Sequence, residues 1–477
     1  MRAPAALLIA VHLVGCARAE SSGKARPTRA ASDATVLQAR SSAGATPGAP
    51  AVDSGADLPF IHDDFPRALA QAKAQDKALF VDAWAQWCHT CLSMQHYVLN
   101  QPALLPLAGR VVFAAIDTER EHNAGFLARH EVSVWPTFFL IDPASERVLG
   151  YWPGSASVGE MRAFIENGLE SMDALRAGGL APDSPLALLL SAKAAQAHGQ
   201  DARAAEQYLR VVNDAPPDFR RRNEALSGAV ETLFRLGRAR PCVEFGLRHL
   251  REISGAAKPV DYAALVFECT QGLPPGERKK ARLVLVERLR ELSDKPSPEM
   301  SPDDQADALH RLADALLELG DRDGARAAHE RRLTVMERAA ASAPSPEAAA
   351  TYDYGRASAY LALGRAEDAV RMLTEREKQL PSSYEPPARL ASILAELKRW
   401  PEAQAAVERA LEHAYGPRRL RYLALKARIH DARGDRQAVV TTLEEEVKSH
   451  QALGRQNAEP ALKDAQKRLN EAKKKLR

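Results

Sequence analysis

Two cysteines separated by two residues are the most reactive feature of this sequence. Cys88 and Cys91 enclose His89 and Thr90 in a C-x-x-C motif. Such a pair can cycle between a dithiol and a disulfide, or it can supply two thiolate ligands of a zinc ion. No second cysteine pair and no C-x-x-H lies nearby in the sequence to complete a zinc site. The motif therefore indicates thiol–disulfide chemistry, and we expect neither a metal nor another cofactor.

The elements around the motif are predicted to place Cys88 at the start of a helix. Residues 78–81 form a continuous apolar run with the length of a buried strand. Residues 92–101 contain neither Gly nor Pro, as expected of a helix. Unpaired backbone N–H groups and the helix dipole favour a thiolate at that position, where thiol pKa values fall to between about 3.5 and 7.5. The sequence thus predicts a reactive thiolate at Cys88.

Three segments resemble the thioredoxin family. Residues 81–88 read V-D-A-W-A-Q-W-C, residues 135–137 read W-P-T before four apolar residues, and residues 154–169 resemble the closing glycine and last helix of the family. The likeness covers about 110 residues in the family's order of motifs, and it extends to exported DsbD-like domains. It implies an α/β thioredoxin-like domain, which we place at residues 58–170.

The resemblance assigns roles to single residues. Cys88 would be the attacking thiolate and Cys91 the resolving thiol. Asp82 matches a buried carboxylate whose raised pKa suits it to accept the Cys91 proton. Pro136 matches a proline that follows a cis peptide bond, so that the backbone of Trp135 can pair with a substrate strand.

The residues beside the cysteines are predicted to contact substrate and to tune the redox potential. Trp87 matches a family aromatic next to the dithiol. His89 and Thr90 differ from the pairs common in the family, and this dipeptide chiefly sets the potential. The His89 imidazole would stabilise the thiolate and make the disulfide more oxidising, unless the side chain points into solvent. Reductase, oxidase and isomerase activities are all compatible with the motif.

The N-terminus is predicted to be a targeting signal. Residues 1–15 have a positive start and an apolar core too short to span a membrane, which is typical of a signal peptide. Cys16 ends the sequence L-V-G-C, which resembles the lipobox of bacterial lipoproteins. More than one acyl chain attached at Cys16 would anchor the chain stably, and we expect the anchor on the periplasmic side of the cell envelope, at the outer membrane. Cleavage after Ala19 is the alternative and would give a soluble periplasmic protein. Residues 16–57 are predicted to be a disordered linker.

Residues 183–470 are predicted to form an all-α solenoid. Six turn positions have small or aliphatic residues seven before and five after them. They are Gly199, Gly237, Gly320, Gly364, Lys398 and Gly434. The alanines seven before the turn in three consecutive units, at positions 357, 391 and 427, are 34 and 36 residues apart. This spacing resembles the tetratricopeptide repeat (TPR), and the gap around 262–292 leaves room for a seventh, degenerate unit.

The expected partners follow from these parts. They are protein thiols or disulfides, an upstream redox partner, and a peptide or protein ligand on the concave face of the array. The alternative for the array is that its helices only scaffold the redox domain. A net charge of only +3 argues against nucleic acid. We therefore predict a membrane-anchored thiol–disulfide oxidoreductase, with a non-enzymatic assembly scaffold as the alternative.

Two further predictions concern burial. Cys242 and Cys269 fall in neighbouring repeat units, where they could form a disulfide, although we expect two buried thiols. His122 and His130 are predicted to lie on a surface helix, exposed to solvent.

Overall fold

The computed structural model describes residues 58–453 and 459–476. The predicted signal peptide, the lipidation site Cys16 and the predicted linker at 16–57 lie outside these residues. Within the described ranges, none of the helices has the length and apolar character that a membrane span needs.

A five-stranded mixed sheet forms the N-terminal part, with strand order β1-β3-β2-β4-β5. The central strand β2 runs parallel to β3 and antiparallel to β4. Its strands and flanking helices are β1 (Phe60–His62), α1 (Phe65–Gln75), β2 (Ala78–Trp84), α2 (His89–Tyr97), β3 (Val111–Asp117), α3 (Ala124–Leu127), β4 (Thr137–Ile141), β5 (Val148–Pro153) and α4 (Val158–Arg176).

Both faces of this sheet are covered by helices. Phe80 of β2 packs in one core with Met94 of α2 and Phe164 of α4. The adjacent residue Leu79 points to the other face and packs in a second core with Phe65 of α1. A strand that is buried on both faces needs a continuous apolar run, and residues 78–81 supply it. The predicted α/β fold class is thus confirmed for this part of the chain.

The rest of the described chain is helical and consists of seven consecutive helical pairs. The third pair occupies the region where we expected a degenerate seventh unit. The pairs are α5 (Pro185–Ala197) with α6 (Asp201–Asp214), α7 (Arg222–Arg235) with α8 (Ala239–Arg248), α9 (Lys258–Cys269) with α10 (Pro275–Asp294), α11 (Pro302–Glu318) with α12 (Arg322–Ala341), α14 (Asp353–Ala362) with α15 (Ala366–Gln379), α16 (Glu385–Glu396) with α17 (Trp400–His413), and α18 (Gly416–Ala432) with α19 (Arg436–Ala452). A short helix, α13 (Pro346–Ala350), precedes the fifth pair, and α20 (Glu459–Leu476) packs on α19.

The predicted turn positions have one backbone conformation in common. All six adopt a left-handed φ between 57° and 85°, at Gly199, Gly237, Gly320, Gly364, Lys398 and Gly434. This conformation ends the first helix of a pair and reverses the chain into the second. Glycine adopts it without strain, whereas Lys398, at φ 57°, places a Cβ atom in a crowded position.

Replacing Lys398 by glycine is expected to stabilise the chain. The substitution removes the left-handed strain but gives the unfolded chain more freedom, so we expect a net gain of about 1 kcal/mol in the free energy of unfolding. Urea denaturation measures this difference. Lys398→Ala keeps the Cβ atom and is the control; equal stabilities of the Gly and Ala variants would contradict the prediction.

Cys242 of α8 and Cys269 of α9 form a disulfide, with their Cα atoms 6.2 Å apart. The expectation of two buried thiols was therefore wrong, although both side chains are buried. Helices α8 and α9 belong to consecutive units and pack against each other, which brings the two cysteines together. The disulfide covalently links the second and third helical pairs.

The array lies against the sheet domain through the first helix of each pair. Every one of these seven helices, or the residue that caps it, contacts the domain. The contacting residues are Lys193, Arg235, Lys258, Asp303, Tyr354, Arg389 and Arg418. The first helices of the pairs therefore contact the chain's own domain at these residues.

Candidate redox site

Cys88 and Cys91 lie at the N-terminus of α2 and are joined by a disulfide, with Cα atoms 5.2 Å apart. Cys88 is the N-cap residue, and its Sγ accepts a hydrogen bond from the backbone N–H of Cys91 at 3.0 Å. Both side chains are buried, Cys88 with 4% and Cys91 with 1% exposed surface. In the reduced state, the same N–H group and the helix dipole would stabilise a Cys88 thiolate.

Asp82 is the buried carboxylate beneath the dithiol helix. It lies in the middle of β2, opposite Phe138 of β4, and is almost fully buried. Its Oδ1 atom has no hydrogen-bond partner among the described residues. Burial raises the pKa of Asp82 to about 7, although a hydrogen bond with Gln95 opposes the shift. A carboxyl group with this pKa can accept and return a proton near neutral pH.

Aromatic side chains surround the disulfide. Trp84, Trp87 and Trp135 pack against the small cluster that contains Cys88 and Cys91. The rings of Trp87 and Trp135 lie with their centres 5.2 Å apart. The peptide bond between Trp135 and Pro136 is cis. The structure thus places Trp87 and Trp135, the predicted substrate-binding aromatics, against Cys88 and Cys91.

His89 contacts the array instead of solvent, so the alternative of a solvent-exposed His89 was wrong. Its Nδ1 lies 3.0 Å from Oδ1 of Asp303, and its ring stacks on Tyr354 with ring centres 5.3 Å apart. Burial by itself would lower the pKa of His89, but the carboxylates of Asp303 and Asp307 outweigh it and raise the pKa to about 9. The imidazole is therefore charged at neutral pH. Thr90 is half-buried in the first turn of α2.

Array residues beside the dithiol were missed by the sequence analysis. Arg389 donates a hydrogen bond to the Trp87 carbonyl oxygen at 3.2 Å, and the guanidinium of Arg418 lies over the Trp87 ring at 4.0 Å from its centre. Asp303 is separated from His89 by 214 residues. Nothing in the local sequence of the array distinguishes these residues from other charged residues of its helices.

One group of side chains near the dithiol has the composition of a metal site. Ligand atoms of His89, Asp303 and Asp307 lie within 4.8 Å of one another. His89 and Asp303 form an ion pair, and Asp307 lies one helical turn after Asp303 on α11. Arg332 adds a positive charge that lowers the pKa of His89 and opposes cation binding.

His130 is buried, so its predicted exposure was wrong, whereas His122 is exposed as predicted. The His130 ring stacks on Phe126 with ring centres 4.5 Å apart. Burial lowers the pKa of His130 to about 4. It is a neutral core residue at physiological pH.

Comparison with known proteins agrees with this geometry. Residues 61–143 match the family model described as thioredoxin-like. The N-terminal domain is thioredoxin-like. The thiol:disulfide interchange protein DsbD of Cronobacter sakazakii is 32% identical over 107 residues, which is 21% of this chain and 18% of that protein. DsbD of Pseudoalteromonas atlantica is 29% identical over 101 residues, or 20% of this chain and 17% of that protein. The chain therefore spans less than a fifth of the length of these relatives.

The array has weaker likenesses to solved structures. A tetratricopeptide repeat protein from Parabacteroides merdae aligns with a TM-score of 0.38 and 14% identity, covering 63% of this chain and 96% of that one. The repeat assignment rests instead on the seven helical pairs and on the left-handed turns of six of them, at the predicted positions. The chain is thus a thioredoxin-like domain followed by a TPR-type solenoid.

Proposed function

We propose that this chain is a thiol–disulfide oxidoreductase that works on the periplasmic side of the cell envelope. The observation that carries the proposal is the Cys88–Cys91 pair at a helix N-terminus within a DsbD-like domain. A scaffold that only docks partners would need neither cysteine, nor a buried Asp82 with a pKa near neutrality.

The proposed exchange has two steps. In the reductive direction, the Cys88 thiolate attacks one sulfur of a substrate disulfide, and the other substrate sulfur leaves as a thiolate that takes a proton from water. Cys91 then gives its proton to the Asp82 carboxylate and attacks the Cys88 sulfur, which releases the first substrate sulfur as a thiolate. Two electrons pass from the dithiol to the substrate. An upstream thiol partner returns them, and the reverse sequence oxidises a substrate dithiol.

A glutathione titration tests the proposal. We expect Cys88 and Cys91 to be reduced together as a two-electron couple, for which about 30 mV of potential corresponds to a tenfold change in the equilibrium constant. The buried Cys242–Cys269 disulfide should stay oxidised. Differential alkylation and mass spectrometry distinguish the two pairs. A Cys88–Cys91 pair that does not exchange at any glutathione ratio would contradict the proposed activity.

His89 is proposed to tune this potential, with Asp303 keeping its imidazole charged. In the same titration, His89→Gly should lower the potential, because loss of the positive charge raises the pKa of the Cys88 thiol. Since the pKa of His89 is about 9, the difference from the wild type should shrink above that pH. His122→Gly, which replaces an exposed histidine, is the matched control.

We also propose that the chain is exported and anchored by a lipid on Cys16. The Cys242–Cys269 disulfide supports an oxidising compartment, where such bonds persist. We expect radiolabelled fatty acid to enter the full-length chain but not Cys16→Ala. Unlabelled, soluble wild-type protein that begins at Glu20 would instead support a cleaved secretory signal.

A further inference from the structure

The residue that precedes the nucleophile is held by two arginines of the array. Nη2 of Arg389 donates to the Trp87 carbonyl oxygen at 3.2 Å, while the Arg418 guanidinium covers the Trp87 ring. Glu385, on the same helix as Arg389, accepts a further bond from it at 2.7 Å and fixes its position. Trp87 therefore cannot turn toward a bulky partner without losing contacts on two sides.

The residue that follows the nucleophile is held as well. His89 is bound by Asp303 at 3.0 Å and stacks on Tyr354, with an angle of 17° between the ring planes. Asp303 is itself buried, and a buried carboxylate is costly unless it is paired. Array side chains thus cover the chain on both sides of Cys88.

The loop after β3 closes a third side. The hydroxyl of Tyr415 donates to Asp117, and the backbone N–H of Arg418 donates to Oε2 of Glu119 at 2.8 Å. Asp117 and Glu119 have only 1% and 7% of their surface exposed. Gly416 has a φ of 58°, and a Cβ atom there would lie 2.0 Å from the carbonyl oxygen of Glu119. This close backbone contact requires glycine.

The fourth side carries the backbone of the bend that precedes β4. The backbone N–H of Trp135 has no hydrogen-bond partner among the described residues, and the side chain is only half-buried. Ser133, two residues earlier, is exposed, although its hydroxyl accepts a hydrogen bond from Arg235 of the array. An unpaired backbone group in such a bend can pair with one added strand.

We propose that the collar, formed by Asp303, Tyr354, Arg389, Tyr415 and Arg418, makes the dithiol selective for cysteines in extended, unfolded peptide segments. The proposal rests on the thiol–disulfide exchange proposed above. A peptide strand that pairs with the backbone of Trp135 needs a gap of only about 5 Å, the spacing between neighbouring strands of a sheet. A folded substrate typically docks a surface of about 800 Å². The collar instead leaves only 4% of the Cys88 surface exposed.

Single-turnover reduction of matched substrates tests the collar. The prereduced chain is mixed with a small domain that carries one glutathionylated cysteine, in its folded form and in a destabilised variant that is unfolded in buffer. Cys88 attacks the mixed disulfide and Cys91 resolves it, so that the substrate thiol and glutathione are released and the dithiol is oxidised. We expect the unfolded form to react at least about tenfold faster, which corresponds to ~1.4 kcal/mol in activation free energy.

The variant Arg389→Gln/Arg418→Gln should lower this ratio of rates toward one. Using the ratio cancels any change in the intrinsic reactivity of Cys88. Arg399→Gln/Arg409→Gln is the matched control, because these arginines pair with Glu367, Glu377 and Glu402 of the array. A wild type that reduces both substrates equally fast, or a collar variant that keeps the wild-type ratio, would overturn the proposal.

Alkylation of the reduced wild type gives a second measurement that does not depend on a variant folding. Cys88 should react with N-ethylmaleimide much faster than with a maleimide attached by a short linker to a small folded protein, and unfolding in urea should remove this difference. Equal rates in the folded chain would overturn the inference. If the wild type reduces neither substrate, thiol–disulfide exchange itself fails, and the collar proposal fails with it.

Discussion

Cys88→Ser is expected to reduce the rate of insulin-disulfide reduction by dithiothreitol to the uncatalysed rate. A serine hydroxyl at the N-terminus of α2 is not a nucleophile toward disulfides at neutral pH, whereas a thiolate held by the Cys91 N–H is. Turbidity of the released insulin chain measures the effect. The control is Cys242→Ser/Cys269→Ser, which removes two cysteines outside the dithiol. It is measured at a temperature at which this variant stays folded.

Cys91→Ser should have the opposite signature. Cys88 can still attack, but no resolving thiol follows, so mixed disulfides with substrates accumulate and can be isolated under non-reducing conditions. These trapped complexes would also identify the substrates and the upstream partner. Full activity of Cys88→Ser would show that the nucleophile has been assigned to the wrong residue.

Asp82→Asn is expected to raise the free energy of unfolding of the oxidised chain at pH 8 by up to about 4 kcal/mol. This figure follows from a difference of about three between the folded-state and unfolded-state pKa of Asp82, at 1.36 kcal/mol for each pKa unit. The folded-state pKa of about 7 exceeds the ordinary value of 3.8. Between these values the unfolded chain has released the Asp82 proton while the folded chain retains it. The wild type therefore loses stability as the pH rises from about 4 to about 7.

The pH dependence separates this effect from a simple change in packing. Urea denaturation of Asp82→Asn should show the gain at pH 8 and little gain at pH 4, and the variant should resolve mixed disulfides more slowly because Cys91 has lost its proton acceptor. Asp173→Asn, at an exposed aspartate of α4, is the control. A gain that is the same at both pH values, or a loss of stability at pH 8, would contradict a buried carboxyl group with a raised pKa.

The sequence by itself determined the features that depend on neighbouring residues. An apolar run, a C-x-x-C and a stretch free of Gly and Pro predict a strand, a helix start and a helix, and Cys88 lies at the N-cap as expected. The TPR-like spacing also located six left-handed turns between paired helices, including that of Lys398, where the residue type alone would not suggest one. Such features follow from local sterics and hydrogen bonding, which act over a few residues.

Only the tertiary structure decided what surrounds the dithiol. The packing of the array against the domain pairs His89 with Asp303 and Trp87 with Arg389, across 214 and 302 residues. The same packing places Ala194 and Ala197 of α5 in the core next to Phe126, and the buried His130 stacks on the Phe126 ring. Within the array, the contact between α8 and α9 brings Cys242 to Cys269. The local sequence around these residues does not predict their contacts. The free energy of each contact comes from desolvation and charge pairing between surfaces that meet only when the chain has folded.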